Sequence, residues 1–162
     1  MNNNLVSELS KAAVLTFEEL GFMFPSLELD EVQERAPFET KVSVGFTGPF
    51  SGTLVMSMFG GLLPVIAANM LGEADTPTVS QQQDALKEIA NVICGNMLPG
   101  IAGPKEIFHV DSPQILEAGD EYVVSGEESK TESVIGIEQG RADLQLYLNG
   151  DATNFFEEQK SD

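Results

Sequence analysis

Residues 80–98, SQQQDALKEIANVICGNML, read as one amphipathic helix with two unlike faces. At about 100° per residue from Asp84, Glu88 falls near 40°, Asn91 near 340° and Gly95 near 20°, so the four share one stripe. Ala85, Leu86, Ile89, Ala90, Val92, Ile93 and Met97 lie between about 80° and 240° on the same wheel, the side that must pack on a sheet. Ser80 opens the helix and Pro99-Gly100 close it, so it is expected to run from 79 or 80 to 97 or 98.

On either side of this helix the apolar period shortens to two. Val42, Val44 and Phe46 alternate with smaller or polar residues, and Leu54, Met56 and Met58 do the same after a Gly48-Pro49-Phe50-Ser51-Gly52 turn. That is a hairpin with one buried face. A second hairpin is expected from Ser133 to Glu138, a Gln139-Gly140 turn, then Leu144, Leu146 and Leu148. Leu5, Val6, Leu9, Ala13, Phe17 and Leu20, spaced by threes and fours, predict a helix from Leu5 to about Phe22, ended by Gly21 and Pro25. Leu62 to Leu71 predicts a short buried helix with Pro64 in its first turn and Gly72 as its stop. A polar stretch, Glu73 to Thr78, joins it to the long helix. Short strands are expected at Ile107–Val110, Gln114–Glu117 and Tyr122–Ser125. Val44-Gly45-Phe46 is echoed by Ile135-Gly136-Ile137, so each half could be a helix followed by antiparallel strands. Equally, any two hairpins share such a pattern.

The chain has 162 residues, 42% of them hydrophobic, with a mean hydropathy of −0.03. This composition suits one α+β domain over residues 1–150, with 151–162 as an acidic C-terminal tail in which Phe155 and Phe156 could dock. Acidic residues outnumber basic ones 26 to 8, for a net charge of −18. A phosphate backbone or an anionic membrane would repel such a chain, which argues against nucleic-acid and membrane partners. One cysteine permits no internal disulfide and builds no zinc or iron–sulfur site alone. The first 15 residues lack a basic region followed by an apolar run, and no apolar stretch reaches about 18 residues. A reducing, cytoplasmic location is the expectation.

The polar stripe has a bland reading as a solvated helix face. Two details weigh against it: Asn91 and Gly95 each cost roughly 0.5–1 kcal/mol relative to alanine in mid-helix. A missing side chain beside an outward carboxylate and amide suits close approach by another macromolecule. An amide donates and accepts at once, so Asn91 could hold a water and aim its lone pair along an in-line path to phosphorus. Phosphoryl transfer needs positioning and charge neutralisation, which two proteins can share. Glu88 could pair with a cation on that partner.

These residues resemble the CheC, CheX and FliY family of bacterial chemotaxis phosphatases. The family pattern is Asp or Ser, three residues, Glu, two residues, Asn, then about 22 residues to a Pro. Asp84, Glu88 and Asn91 fit it, and Pro113 follows after 21 residues, one short of the pattern. Glu88-Ile89-Ala90-Asn91 with Gly95 is similar to the family helix, and Pro113-Gln114-Ile115-Leu116-Glu117-Ala118-Gly119 to the strand segment after it. The likeness extends loosely from about Lys11 to Leu148. It implies a CheC/CheX-like α+β fold, an antiparallel sheet packed against helices.

It also implies hydrolysis of the phosphoaspartate of CheY or a CheY-like receiver. Asn91 would orient the water, and Glu88 would pair with the receiver's active-site lysine; Asp84, Gly95 and Pro113 would be partner-binding. The receiver would bring the acyl phosphate and its Mg2+, with no metal or other cofactor on this chain. CheC-like members carry a second motif on the first helix, but Glu18 and Glu19 are followed three residues later by Gly21 and Phe22. One active stripe is therefore expected, as in CheX, and a homodimer is implied. A non-catalytic adaptor that binds a receiver or a flagellar-switch component is the alternative, and a scaffold with a merely solvated stripe is the third.

Other residues carry less. His109 lies in a strand candidate with no orienting partner identifiable from sequence. Cys94 flanks the apolar arc and reads as a small packed hydrophobe. Met56, Met58, Met70 and Met97 fall at core-facing positions. Asn149, Asp151 and Thr153 hint at a calcium loop, but the glycine and closing glutamate such a loop needs are misplaced. No phosphate-cradling glycine loop, zinc-protease motif or nucleophile elbow is present.

Overall fold

The computed structural model describes residues 2–72, 75–117 and 128–160. The strand expected at Tyr122–Ser125 and the Ala118-Gly119 end of the proline segment lie outside them. In chain order the elements are α1 (Asn2–Gly21), α2 (Glu31–Glu34), β1 (Phe38–Thr47), β2 (Gly52–Phe59), α3 (Leu63–Leu71), α4 (Val79–Ala102), β3 (His109–Val110), β4 (Gln114–Leu116), β5 (Glu128–Ile137), β6 (Gly140–Asn149) and α5 (Asp151–Lys160). The fold is α+β, as expected.

All described strands join one antiparallel sheet in the order β3-β1-β2-β6-β5, with β4 also pairing β1 beside β3. The alternation read in the sequence sends Val42, Val44, Phe46, Leu54, Met56, Met58, Ile135, Ile137, Leu144, Leu146 and Leu148 to one buried face. There they meet Leu9, Ala13 and Phe17 of α1 and Leu86, Ile89, Ile93 and Met97 of α4. Each large side chain fully buried in this layer contributes about 1.5–3 kcal/mol relative to exposure, so helix placement follows from the apolar stripes.

Several boundaries differ from the sequence reading: α1 starts at Asn2, β5 at Glu128 and β3 at His109, and the ends of α4 and the C-terminal segment differ as well. The N-cap of α4 is Thr78, not Ser80: the Thr78 hydroxyl accepts from the Gln81 amide at 3.1 Å, and Gln81 Oε1 accepts from the Thr78 amide at 2.9 Å. At its other end α4 runs through Pro99 to Ala102, because Ile101 and Ala102 bury against the core and Gly103 closes the turn on the Pro99 carbonyl. Residues 151–160, read as a tail, form α5, and Phe155 and Phe156 pack their rings 5.1 and 5.4 Å from that of Phe50. The helix α2, too short for periodicity to announce, is closed by a capping box between Asp30 and Gln33.

The echo between the two hairpins is matched in the strand order and register. Strand order β1-β2-β6-β5 reads the same from either end, with α1 over β5 and α4 over β1. Gly45 in one half corresponds to Gly136 in the other. Gly45 accepts a backbone bond from Asp111 at 2.8 Å, and Gly136 accepts one from Ser26 at 2.9 Å. Gly52 and Gly140 each start the return strand of a hairpin, and a Cβ on either would strike the backbone carbonyl of Tyr147 or Phe59 respectively. An approximate two-fold axis thus runs between Met56 and Leu144, which face each other across β2 and β6.

Candidate active site

The capping box starts α4 and the buried arc fixes its rotation on β1, which leaves Asp84, Glu88, Asn91 and Gly95 exposed along its outer side. Opposite this stripe, β3 and β4 are held against β1 by the Phe46–Val110 and Val42–Ile115 pairings. The connection between these two strands therefore stands beside α4. The result is an open cleft of about 330 Å³, lined by Asp84, Lys87, Glu88 and Asn91 on one wall and by Val110, Asp111, Ser112 and Pro113 on the other.

Four of the five residues singled out from sequence thus meet in one place. Pro113 reaches it through the sheet and Asp84, Glu88 and Asn91 through the helix. Gly95 lies further along the stripe and does not line the cleft; a Cβ placed there meets nothing within 4 Å. The open space before it belongs to solvent or a visitor. Its carbonyl is also special, because the residue four places on is Pro99, which has no N–H to complete the helical bond.

The wheel left Lys87 between the polar and apolar arcs, and nothing in the sequence brought Asp111 and Ser112 to α4. Only the pairing of β3 and β4 with β1 does so. Asp111 Oδ1 lies 3.3 Å from His109 Nε2 in an exposed pair beside the cleft, which by itself contributes little. Asp84, Glu88 and Asp111 share the cleft, yet among the described residues no group of three or more His, Cys, Asp and Glu is placed to hold a metal ion. Cys94 is fully buried, and burial pushes its thiol up to about 12. A nucleophilic thiolate is not available there.

The α1 side of the repeat has its own groove. Burial aligns Leu9, Ala12, Ala13, Thr16 and Phe17 with Leu86, Ile89, Ala90, Ile93 and Cys94. Ser7, Lys11, Val14 and Glu18 then correspond to Asp84, Glu88, Asn91 and Gly95. These four α1 residues line a groove of about 750 Å³ with Val6, Ser10, Leu15 and Leu27. Where α4 offers a carboxylate and an amide, α1 offers an ammonium and an isopropyl group. None of these four α1 residues carries a carboxamide to hold a water.

Comparison with known protein families matches residues 41–138 to the model described as chemotaxis phosphatase CheX. The chain belongs to the CheX family. The matched span contains the whole cleft. A comparison with curated proteins finds no matching sequence. Among solved structures, CheX from Vibrio vulnificus is similar with a TM-score of 0.70 at 17% identity, over 90% of this chain and 96% of that one. CheX from Desulfovibrio desulfuricans gives 0.69 at 15%, over 90% and 99%. The CheX-CheY-BeF3-Mg2+ complex from Borrelia burgdorferi gives 0.62 at 14%, over 89% and 97%. At these identities the likeness is one of fold.

Proposed function

We propose that this CheX-family chain is a protein phosphatase that hydrolyses the phosphoaspartyl group of a CheY-like response regulator in bacterial chemotaxis or related two-component signalling. One observation carries the reading: the outward amide of Asn91, with Glu88 one turn before it, lines an open polar cleft whose far wall presents Pro113. The Borrelia burgdorferi CheX-CheY complex supports a CheY-like partner.

In this mechanism α4 docks on the receiver, Glu88 pairs with a receiver lysine, and Asn91 enters beside the acyl phosphate. The Asn91 carboxamide holds a water so that its oxygen faces phosphorus in line with the acyl oxygen. The water oxygen bonds to phosphorus and the P–O bond to the aspartate breaks. The bonding pair stays on the aspartate as carboxylate, and the water's protons leave with inorganic phosphate. Magnesium bound on the receiver supplies charge neutralisation at the phosphoryl oxygens. Asp84 and Gly95 contact the receiver surface, Gly95 by offering close backbone approach.

The homodimer belongs to the same proposal. The apolar groove runs along the exposed side of α1, and Lys11 and Glu18 flank Val14 and Leu15 with opposite charges. Two antiparallel copies of α1 would set Lys11 against Glu18 twice. The cytoplasm is the compartment this activity requires; among the described residues no helix is long and apolar enough to cross a membrane.

Phosphate release from a phosphorylated receiver tests the proposal with wild type, Asn91→Ala and Glu88→Ala. Asn91→Ala abolishes turnover while sparing most binding, whereas Glu88→Ala weakens binding as well. No acceleration by wild type, with complex formation confirmed, would make the chain an adaptor. Equal binding by wild type and the double variant would leave a scaffold.

A further inference from the structure

Lys87 is the one cation lining the active-site cleft among the described residues. It precedes Asn91 by four residues, so the two side chains are neighbours on the helix surface. Asp84, Glu88 and Asp111 stand around it, yet its ammonium makes no ion pair or hydrogen bond among the described residues. Its counterpart on α1 is Ser10, which is buried and bonded to Ser133 at 2.6 Å. Under the same axis Ser133 corresponds to Val42, which is fully buried and has no polar side-chain atom. The Ser10–Ser133 bond therefore has no equivalent between Lys87 and Val42. Lys87 is half-buried and lines the cleft, a setting in which a lysine lays its aliphatic stem on apolar surface and keeps its ammonium in water.

The Lys87 side chain neighbours the amide assigned to the hydrolytic water. A chain of net charge −18 must there approach an acyl phosphate that carries two negative charges of its own. Like-charge approach slows association and weakens the complex unless a local cation offsets it. We infer that Lys87 contacts the phosphoryl oxygens of the bound receiver, making recognition depend on the phosphoryl charge. This inference rests on the proposed phosphatase reading and adds the residue that tells phosphorylated from unphosphorylated receiver. A lysine suits this because its flexible stem follows the phosphoryl group without fixing the water that Asn91 aims.

The test uses the full chain with the magnesium-bound receiver, phosphorylated and unphosphorylated. Lys87→Ala is expected to raise KM for the phosphorylated receiver roughly tenfold, the effect of one charge-assisted contact of about 1.4 kcal/mol. Little change in kcat, steepened salt dependence lost, and substantial recovery with Lys87→Arg are expected alongside. Affinity for the unphosphorylated receiver should stay within about twofold. Equal weakening on both forms would overturn the inference, since Lys87 would then be reading a fixed carboxylate on the receiver. Wild-type KM in Lys87→Ala, with its helical circular dichroism intact, would overturn it too. If wild type itself gives no phosphate release above the receiver's own rate, it is the phosphatase reading that fails.

Discussion

Val14 on α1 occupies the place that Asn91 occupies on α4, one turn beyond Lys11 where α4 has Glu88. The fold therefore presents two helix stripes of one geometry and opposite chemistry. In the proposed function all water-positioning falls to α4. Asn91→Ala should lower single-turnover phosphate release about a hundredfold or more, to the receiver's own rate, because among the described residues no second amide lines the cleft. Residual turnover above that rate would mean another group aims the water.

The α1 groove should instead govern assembly. A pair such as Lys11–Glu18 contributes about 0.2–1 kcal/mol and would be made twice in a symmetric dimer. Lys11→Glu should raise the dimer dissociation constant roughly tenfold in sedimentation equilibrium, and adding Glu18→Lys should restore it. Leu15→Glu should dissociate the dimer more completely. A wild-type monomer at all concentrations would remove dimerisation from the proposal.

Glu39 caps a helix it does not belong to. Its carboxylate accepts from the Leu62 amide at 3.1 Å and the Leu63 amide at 3.1 Å, where α3 has no side-chain cap of its own. Desolvation by burial raises its pKa despite those bonds. The folded state therefore holds this proton to higher pH than the unfolded chain, so its contribution to stability is full below the ordinary carboxylate range and is lost as pH rises through it. Glu39→Gln should flatten that part of the stability–pH curve measured by urea unfolding. Glu39→Ala should cost about 0.5–2 kcal/mol by losing the cap.

Cys94 should be silent in the native protein. It is fully buried with a thiol raised to about 12, so a neutral thiol reagent should label it only after denaturant is added. Stoichiometric labelling of folded protein within minutes would show that α4 lifts from the sheet. In that case the stripe would not be the rigid platform that water-positioning needs.

The polar stripe on α4 was legible because it is local: Asp84, Glu88, Asn91 and Gly95 share a side by helical period alone, whatever the helix packs on. The hairpins were legible because alternation in Val42–Phe46 and Leu144–Leu148 reports one buried face. Helix ends were less so. Pro99 reads as a stop, and only the burial of Ile101 and Ala102 carries α4 past it. The segment after Asp151 reads as solvated by composition, yet two rings packing on Phe50 make it a helix.

The sequence by itself determined α1, α3 and α4, the two hairpins and the four residues of the polar stripe, since these depend on periods of two and 3.6 along a continuous chain. Only the tertiary structure decided what stands opposite that stripe. Pro113 and Asp111 reach α4 through the pairing of β3 and β4 with β1, which sets them across the cleft from Lys87, Glu88 and Asn91. Those are contacts between residues far apart in the chain, set by how the sheet's two halves close around Met56 and Leu144, and no local pattern encodes them.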